Sequence, residues 1–218
     1  MLSAAVSSSL AGPADEKAKY LSDTEREVLA EINLARASPK KYADYLAEHR
    51  RRFTDDFTYR NESGAMVRTQ EGVKAVDEAI AFLKSAKAIK ALRPSEGLSL
   101  AARDHVGDIG KSGITEHTGA DKSTPKDRIE RYGKWEKTMG ENISFGMAIP
   151  RCIVMQLIID DGIKERGHRA NIFNPAFSLV GIACGPHSGF RNVCVTDFAG
   201  GYRDMPDVKS KQKQAKTR

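Results

Sequence analysis

Ser178-Leu179-Val180-Gly181-Ile182-Ala183-Cys184 and Arg191-Asn192-Val193-Cys194-Val195-Thr196-Asp197-Phe198 are two alternating apolar runs. They are separated by the turn-rich stretch Gly185-Pro186-His187-Ser188-Gly189. Alternation on both sides of such a turn predicts a β-hairpin. Upstream, the helical period dominates. Ser22 and Glu25 make a capping-box pattern ahead of Val28, Leu29 and Ile32. Ser38-Pro39 reads as an N-cap with proline at the first helical position, opening a second helix through Tyr42, Tyr45 and Leu46. That helix runs out in His49-Arg50-Arg51-Arg52, solvated cations suited to a helix C-terminus. Val73, Val76, Ile80 and Leu83 argue an amphipathic helix from Gly72 to about Ala88. Another is expected over Leu98 to Lys111, with His105 packed in the core, and the run 151–166 is helical by length, ending at Gly167. Residues 53–68 read as a long loop or short hairpin, and Gly113 to Thr138 as turn-rich, anchored by Trp135. Helices first and a hairpin last, without βαβ alternation, predict an α+β domain with helices packed on a small antiparallel sheet.

The chain has 218 residues, 40% of them apolar, enough for one sizeable core. No apolar run reaches the length of about 18 residues that a transmembrane helix needs. Of the formal charge of +6, five units sit on Lys209, Lys211, Lys213, Lys216 and Arg218. The basic balance is therefore a property of the tail, residues 206–218, expected to be disordered and able to touch anionic surfaces without reading nucleic acid specifically. Residues 1–21 read as a disordered leader or the remnant of an export signal, leaving 22–205 as the domain. Cys184 and Cys194 either bridge across the hairpin, in an oxidising compartment, or stand as two core thiols; Cys152 reads as a buried thiol.

Chemistry-bearing side chains concentrate between Asp160 and Ile172, where Asp160, Asp161, Glu165, Arg166, His168 and Arg169 lie close together. On a continuous helix Asp161, Glu165 and His168 would share a face. Glu165-Arg166-Gly167-His168 is half of a di-iron signature, but a second half is missing. A second His/acid pair lies in Glu116-His117-Thr118-Gly119 and Gly140-Glu141-Asn142-Ile143. His117 and His168, with Glu141 and an aspartate, make a plausible zinc set. Neither a nucleophile elbow nor a phosphate-cradling glycine loop is present. The residues alone reach an α+β domain with a His/acid cleft.

His117-Thr118-Gly119, Gly140-Glu141-Asn142-Ile143, Gly167-His168-Arg169-Ala170-Asn171-Ile172 and the strand Val180-Gly181-Ile182-Ala183 stand in an order that resembles the CAP superfamily, also called SCP-like. This superfamily includes cysteine-rich secretory, venom-allergen and pathogenesis-related proteins. The helix Glu27 to Arg36, with Asn33 and Arg36 three apart, looks like the family's first helix, and Leu98 to His105 like its second. The likeness runs from about 22 to 202. It implies an α-β-α sandwich with a central cleft of two histidines and two acids, often able to hold a divalent metal such as zinc. His117, Glu141 and His168 match three of the four positions. The fourth, usually a glutamate three residues after a tryptophan, falls on Asp160, with Leu157 in place of the tryptophan; Asp161 and Glu165 stand as substitutes. The segment 53–90 exceeds a minimal domain. The resemblance further implies secretion, to an extracellular or periplasmic location, and binding of lipid (sterol or fatty acid) or protein partners. Two alternatives accompany it. One is a metal-dependent hydrolase, protease-like or esterase-like, with Glu141 as base and His117 and His168 as ligands. The other is a structural or adhesion domain with a vestigial cleft.

Overall fold

A computed structural model describes residues 18–205. In chain order its elements are α1 (Asp23–Ala37), α2 (Pro39–Arg50), β1 (Thr58–Arg60), β2 (Met66–Arg68), α3 (Val73–Ser85), β3 (Arg93–Pro94), α4 (Glu96–Ser112), α5 (Pro125–Glu130), β4 (Gly133–Phe145), α6 (Pro150–Ile159), α7 (Gly167–Ile172), β5 (Leu179–His187) and β6 (Arg191–Asp204). Four strands form the main sheet in the order β3-β5-β6-β4. The long pairs β4–β6 and β5–β6 are antiparallel, whereas β3 adds two residues parallel to β5. The sheet is thus mixed, a departure from the all-antiparallel expectation. Pro94 has no N–H to give and fits such a short edge.

Period-two alternation along the hairpin sets the layering. Val180, Ile182, Cys194 and Phe198 pack with Val28, Leu29 and Ile32 of α1 and Ile153 and Leu157 of α6. The intervening Ala183, Val193 and Val195 pack with Ala102, Val106 and Ile109 of α4. Both sheet faces are covered by helices, which makes the α-β-α sandwich. Close approach on the α4 side requires Gly181: a Cβ there would lie 2.0 Å from the Leu98 carbonyl carbon and 2.2 Å from the Ser99 nitrogen. The Ser99 hydroxyl accepts from the Ile182 N–H at 3.2 Å, so this contact is also hydrogen-bonded.

The capping box of α1 has both of its bonds, Ser22 N–H to Glu25 Oε2 at 2.7 Å and Glu25 N–H to Ser22 Oγ at 3.3 Å. Glu25 also accepts from the Cys184 N–H at 3.1 Å, tying the helix start to β5. At the other end of α1, Asn33 makes a two-way pair with the backbone of Leu92. Ser38 precedes α2 but makes no side-chain cap bond. Cys184 and Cys194 face each other in register and are bridged, with Cα atoms 4.0 Å apart. Cys152 is a free, half-buried thiol whose pKa burial and then Glu62 push up to about 12.

Several expectations change. Residues 53–68 take the second of their two readings, the short β1–β2 hairpin, whereas α3 stops at Ser85, short of Ala88. The stretch 113–138 holds α5 and the start of β4, the third long strand. Lys134, Glu136 and Lys137 on this edge strand, and a bulge between Glu136 and Met139 with Lys137 at φ 71°, break the apolar alternation there. Most consequential is the run 151–166, because α6 ends at Ile159 and Asp160 takes left-handed φ/ψ of 58° and 43°. A loop follows to Arg166, so Asp161, Glu165 and His168 share no helix face. Ala18 and Leu21 are buried, so packing begins before Ser22. The rest of the expected leader and the basic tail lie outside the described residues. Among those residues no helix is long and apolar enough to cross a membrane.

Candidate functional site

Strand β4 forms one edge of the sheet, with a helical layer against each face. Its alternation sends Glu141 and Ile143 toward α4 and α5, and Gly140 and Asn142 toward α7. Ile143 accordingly joins the α4 cluster, while a Cβ on Gly140 would meet Asn171 and Phe177 at 3.1 Å. His117 comes from the α4–α5 loop in one layer and His168 from the start of α7 in the other. The site straddles the edge strand.

His117 Nδ1 lies 2.7 Å from Glu141 Oε1. A carboxylate accepts, so this ring nitrogen carries the hydrogen. The second Glu141 oxygen accepts from Arg128 Nη2 at 2.7 Å, and the same nitrogen donates to the His117 carbonyl at 3.0 Å. Arg128 Nη1 completes the anchorage on the Ser123 carbonyl at 2.8 Å. The Glu141 side chain is 1% exposed, as is that of Arg128. Burial works to raise the Glu141 pKa, but the His117 hydrogen bond and the Arg128 charge outweigh it and hold the group below its ordinary range.

Behind this pair lies fully buried His105, as the helical pattern predicted. Its Nε2 donates to the Glu116 carbonyl at 3.1 Å and stands 4.0 Å from Glu141 Oε1. Burial lowers its pKa, so it is a neutral wall. Across the sheet from Glu141 sits Asp197, fully buried, with no hydrogen bond of ordinary geometry to either carboxyl oxygen. Burial and then the Glu141 charge raise its pKa well above its ordinary value, which favours its neutral form beside that neighbour. Arg128 and Asp197 escaped the sequence reading. Arg128 resembled a solvated helix residue in Lys126-Asp127-Arg128. Asp197 carried a usable signal, an acid at an inward position of an apolar strand, in line with Val193 and Val195.

The second half is built on the left-handed end of α6. Asp160 Oδ1 lies 2.6 Å from His168 Nδ1, and Oδ2 accepts the His168 N–H at 2.9 Å. One carboxylate thus satisfies an orphan N–H of α7 and orients the ring. Asn142 Nδ2 donates to the His168 carbonyl at 3.0 Å, and Asn171 Nδ2 to Asn142 Oδ1 at 2.8 Å, so β4 supports this half as well. The two imidazole centroids are 6.5 Å apart with planes at 36°. His117 and His168 side chains are 52% and 22% exposed. Each Nδ1 is engaged by a buried carboxylate, which leaves Nε2 for whatever enters the cleft.

Of the substitutes, Asp161 turns to the other side of the loop, where its oxygens accept from the Gln70 and Glu71 N–H groups at 2.7 Å each. Glu165 is exposed and makes no hydrogen bond or ion pair with either histidine. Among the described residues no group of three or more His, Cys, Asp or Glu side chains converges as a metal site. The donor set offers two imidazole nitrogens, against the three protein ligands of a catalytic zinc. It does not fit a three-ligand centre.

The model of the CAP cysteine-rich secretory protein family matches residues 1–198. The uncharacterized protein YkwD of Bacillus subtilis (strain 168) is 31% identical over 94 residues, 43% of this chain and 35% of that protein. The chain therefore spans about a third of that relative's length. An outer surface protein from Borrelia burgdorferi aligns over 51% of this chain and 78% of its own, at 18% identity and a TM-score of 0.43. An extracellular protein containing a SCP domain from Bacillus anthracis str. Ames aligns over 58% of this chain and 37% of its own, at 18% identity and a TM-score of 0.42.

Proposed function

Because this chain belongs to the CAP cysteine-rich secretory protein family, we propose that it is a secreted binding module, extracellular or periplasmic, that takes an apolar ligand of the sterol or fatty-acid class. The observation that carries binding over a hydrolase with Glu141 as its base is the state of Glu141. A general base must offer a lone pair to a substrate proton. Glu141 is sealed, with one oxygen on His117 and the other on Arg128. Asp160 is likewise engaged by the ring and backbone of His168. The histidines are held ready to bind, and neither carboxylate is left to pull a proton.

We place the apolar ligand in a separate open hollow whose walls are about as polar as apolar. It measures about 400 Å³ and is lined by Met147, Ala148, Ile153, Cys184, Pro186 and Val193, with Ser22, Thr24 and Asn192 at polar positions. That volume falls in the range of small-molecule sites, roughly 300–1,000 Å³. The disulfide suits the proposed compartment. At the His117/His168 pair we propose only a loosely held divalent ion, with two imidazole ligands and water completing its shell.

The test is a titration of fluorescent sterol and fatty acid into wild type, Ala148→Trp and the double variant His117→Ala/His168→Ala, beside zinc calorimetry and ester and peptide hydrolysis. Filling the cavity mouth should weaken lipid binding by about tenfold, or ~1.4 kcal/mol. The double histidine variant should keep lipid binding and lose zinc. Turnover lost in the double variant, with no lipid held by any of the three proteins, would overturn the reading.

A further inference from the structure

The segment 53–90, an insertion by the family resemblance, packs α3 into the core and lies against the loop that carries half of the cleft. That loop, Asp160 to Arg166, includes three left-handed residues: Asp160 at φ 58°, Gly162 at φ 82° and Arg166 at φ 52°. Two of them carry side chains, and non-glycine residues persist in this conformation only where the surroundings impose it. Here the surroundings belong to the inserted segment. Asp161 takes the Gln70 and Glu71 N–H groups, and Glu71 Oε1 in return accepts the Gly162 N–H at 2.8 Å. Any Cβ on Gly162 would lie 2.5 Å from the Gln70 side chain.

Arg166 joins the two segments. Its Nη1 donates to Glu71 Oε1 at 2.5 Å and its Nη2 to Glu71 Oε2 at 2.8 Å, a bidentate pair. Nη2 also reaches Glu78 Oε2 at 2.7 Å. On the loop side, Nη1 donates to the carbonyls of Asp160 at 2.8 Å and Ile163 at 3.1 Å. Glu78 further accepts from Arg169 Nη1 at 2.8 Å, and buried Arg169 donates to the carbonyls of Ile158 and Ile159. Two carboxylates of the insertion are thereby joined, through two guanidinium groups, to the end of α6 on which Asp160 sits.

We propose that the insertion is a positioning clamp for the His168–Asp160 half of the cleft, with Arg166 as its central residue. The contacts end on the backbone of Asp160, whose side chain fixes both the ring and the amide of His168. No hydrogen bond or ion pair links Arg166, Glu71 or Glu78 to His117, Glu141 or Arg128, so the opposite half is an internal control within the same molecule. A lysine at 166 supplies the charge without the planar fork. The Arg166 hydrogen bonds hold the Glu71 pKa down at about 2, from an ordinary 4.5. Its contribution is complete above about pH 4.5 and fades toward pH 2, so the clamp is fully charged at neutral pH. The inference rests on the two-histidine cleft being the functional site, but its readout needs no ligand and can fail separately from lipid binding.

The experiment records side-chain imidazole ¹H–¹⁵N spectra and hydrogen exchange of the His168 amide at pH 7, on the full chain. Wild type is compared with Arg166→Ala, Arg166→Lys and Glu78→Gln. Arg166→Ala should shift the His168 ring resonances and speed exchange of its amide by about tenfold or more, with a smaller shift of the His117 ring 6.5 Å away. Arg166→Lys should restore part of the wild-type spectrum. Glu78→Gln removes one acid and should give a smaller change of the same kind, and it stands in if Arg166→Ala fails to fold. Equal movement of both histidines, or no movement of His168, would overturn the proposal.

Discussion

Replacing Arg36 by alanine should lower the unfolding free energy by about 3–5 kcal/mol, because several buried carbonyls lose their donor and a void is left. Arg36 is fully buried in α1 and faces carbonyls rather than carboxylates. Its Nε donates to Lys90 O at 2.9 Å, Nη1 to Ile172 O at 2.6 Å and Asn174 O at 3.1 Å, and Nη2 to Phe177 O at 3.2 Å. One side chain thus joins α1 to the end of the insertion, to the last residue of α7 and to the lead-in of β5. Burial lowers its pKa to about 10, so it remains charged at neutral pH. Alanine would leave these acceptors without their donor as well as a void, and each buried unsatisfied group costs about 1–3 kcal/mol. Lysine cannot reproduce a planar fork aimed at several carbonyls, so Arg36→Lys should recover less than half of the loss. Urea unfolding of the three proteins measures this. A cost below about 1 kcal/mol for the alanine variant would contradict the assigned role.

Glu141→Gln should be nearly as damaging, at about 3 kcal/mol, because it leaves Arg128 buried without its anion. The hydrolase alternative makes Glu141 a base reached by solvent, whose replacement by an amide would spare the fold. Burial overturns that expectation. An amide presents a donor toward either His117 Nδ1–H or Arg128, both of which also donate. The acid limb of stability should change too. The folded pKa of Glu141 lies below its ordinary value of 4.5, so its contribution is present above that value and is lost as pH falls. Unfolding free energies measured from pH 7 downward should therefore fall less steeply in Glu141→Gln than in wild type. Parallel curves with equal stability at pH 7 would show that the carboxylate is solvated and not clamped.

Local grammar was readable where local energetics decides it. The Ser22/Glu25 box, the Cys184/Cys194 hairpin and the helical spacing of Val73 to Leu83 depend on neighbours within a few residues. The end of α6 was misread although Asp160-Asp161-Gly162 contains a turn dipeptide. The apolar run Ile153 to Ile159 suggested a longer helix, and the contacts that stop it come from residues 70–78, some 90 positions away. The same distance hid the choice among acids. Asp160, Asp161 and Glu165 are equivalent by type, and only a left-handed cap turns the first toward His168 and the second toward Gln70. Family order put His117, Glu141 and His168 in one cleft, whereas Arg128 and Asp197 emerge only once β4 and β6 are paired and α5 is laid against them. Strand β4 itself was obscured because an edge strand carries charge where a central one carries apolar residues.

Glu141 and Asp160 hold the cleft imidazoles through Nδ1 and leave Nε2 to face the cleft. Long-range ¹H–¹⁵N spectra of the histidine side chains, recorded at neutral pH on the intact protein, test it most directly. Both His117 and His168 should show a protonated, hydrogen-bonded Nδ1, seen as slowly exchanging downfield protons. Either ring protonated at Nε2 alone, or carrying an Nδ1 proton that exchanges freely with water, would contradict it.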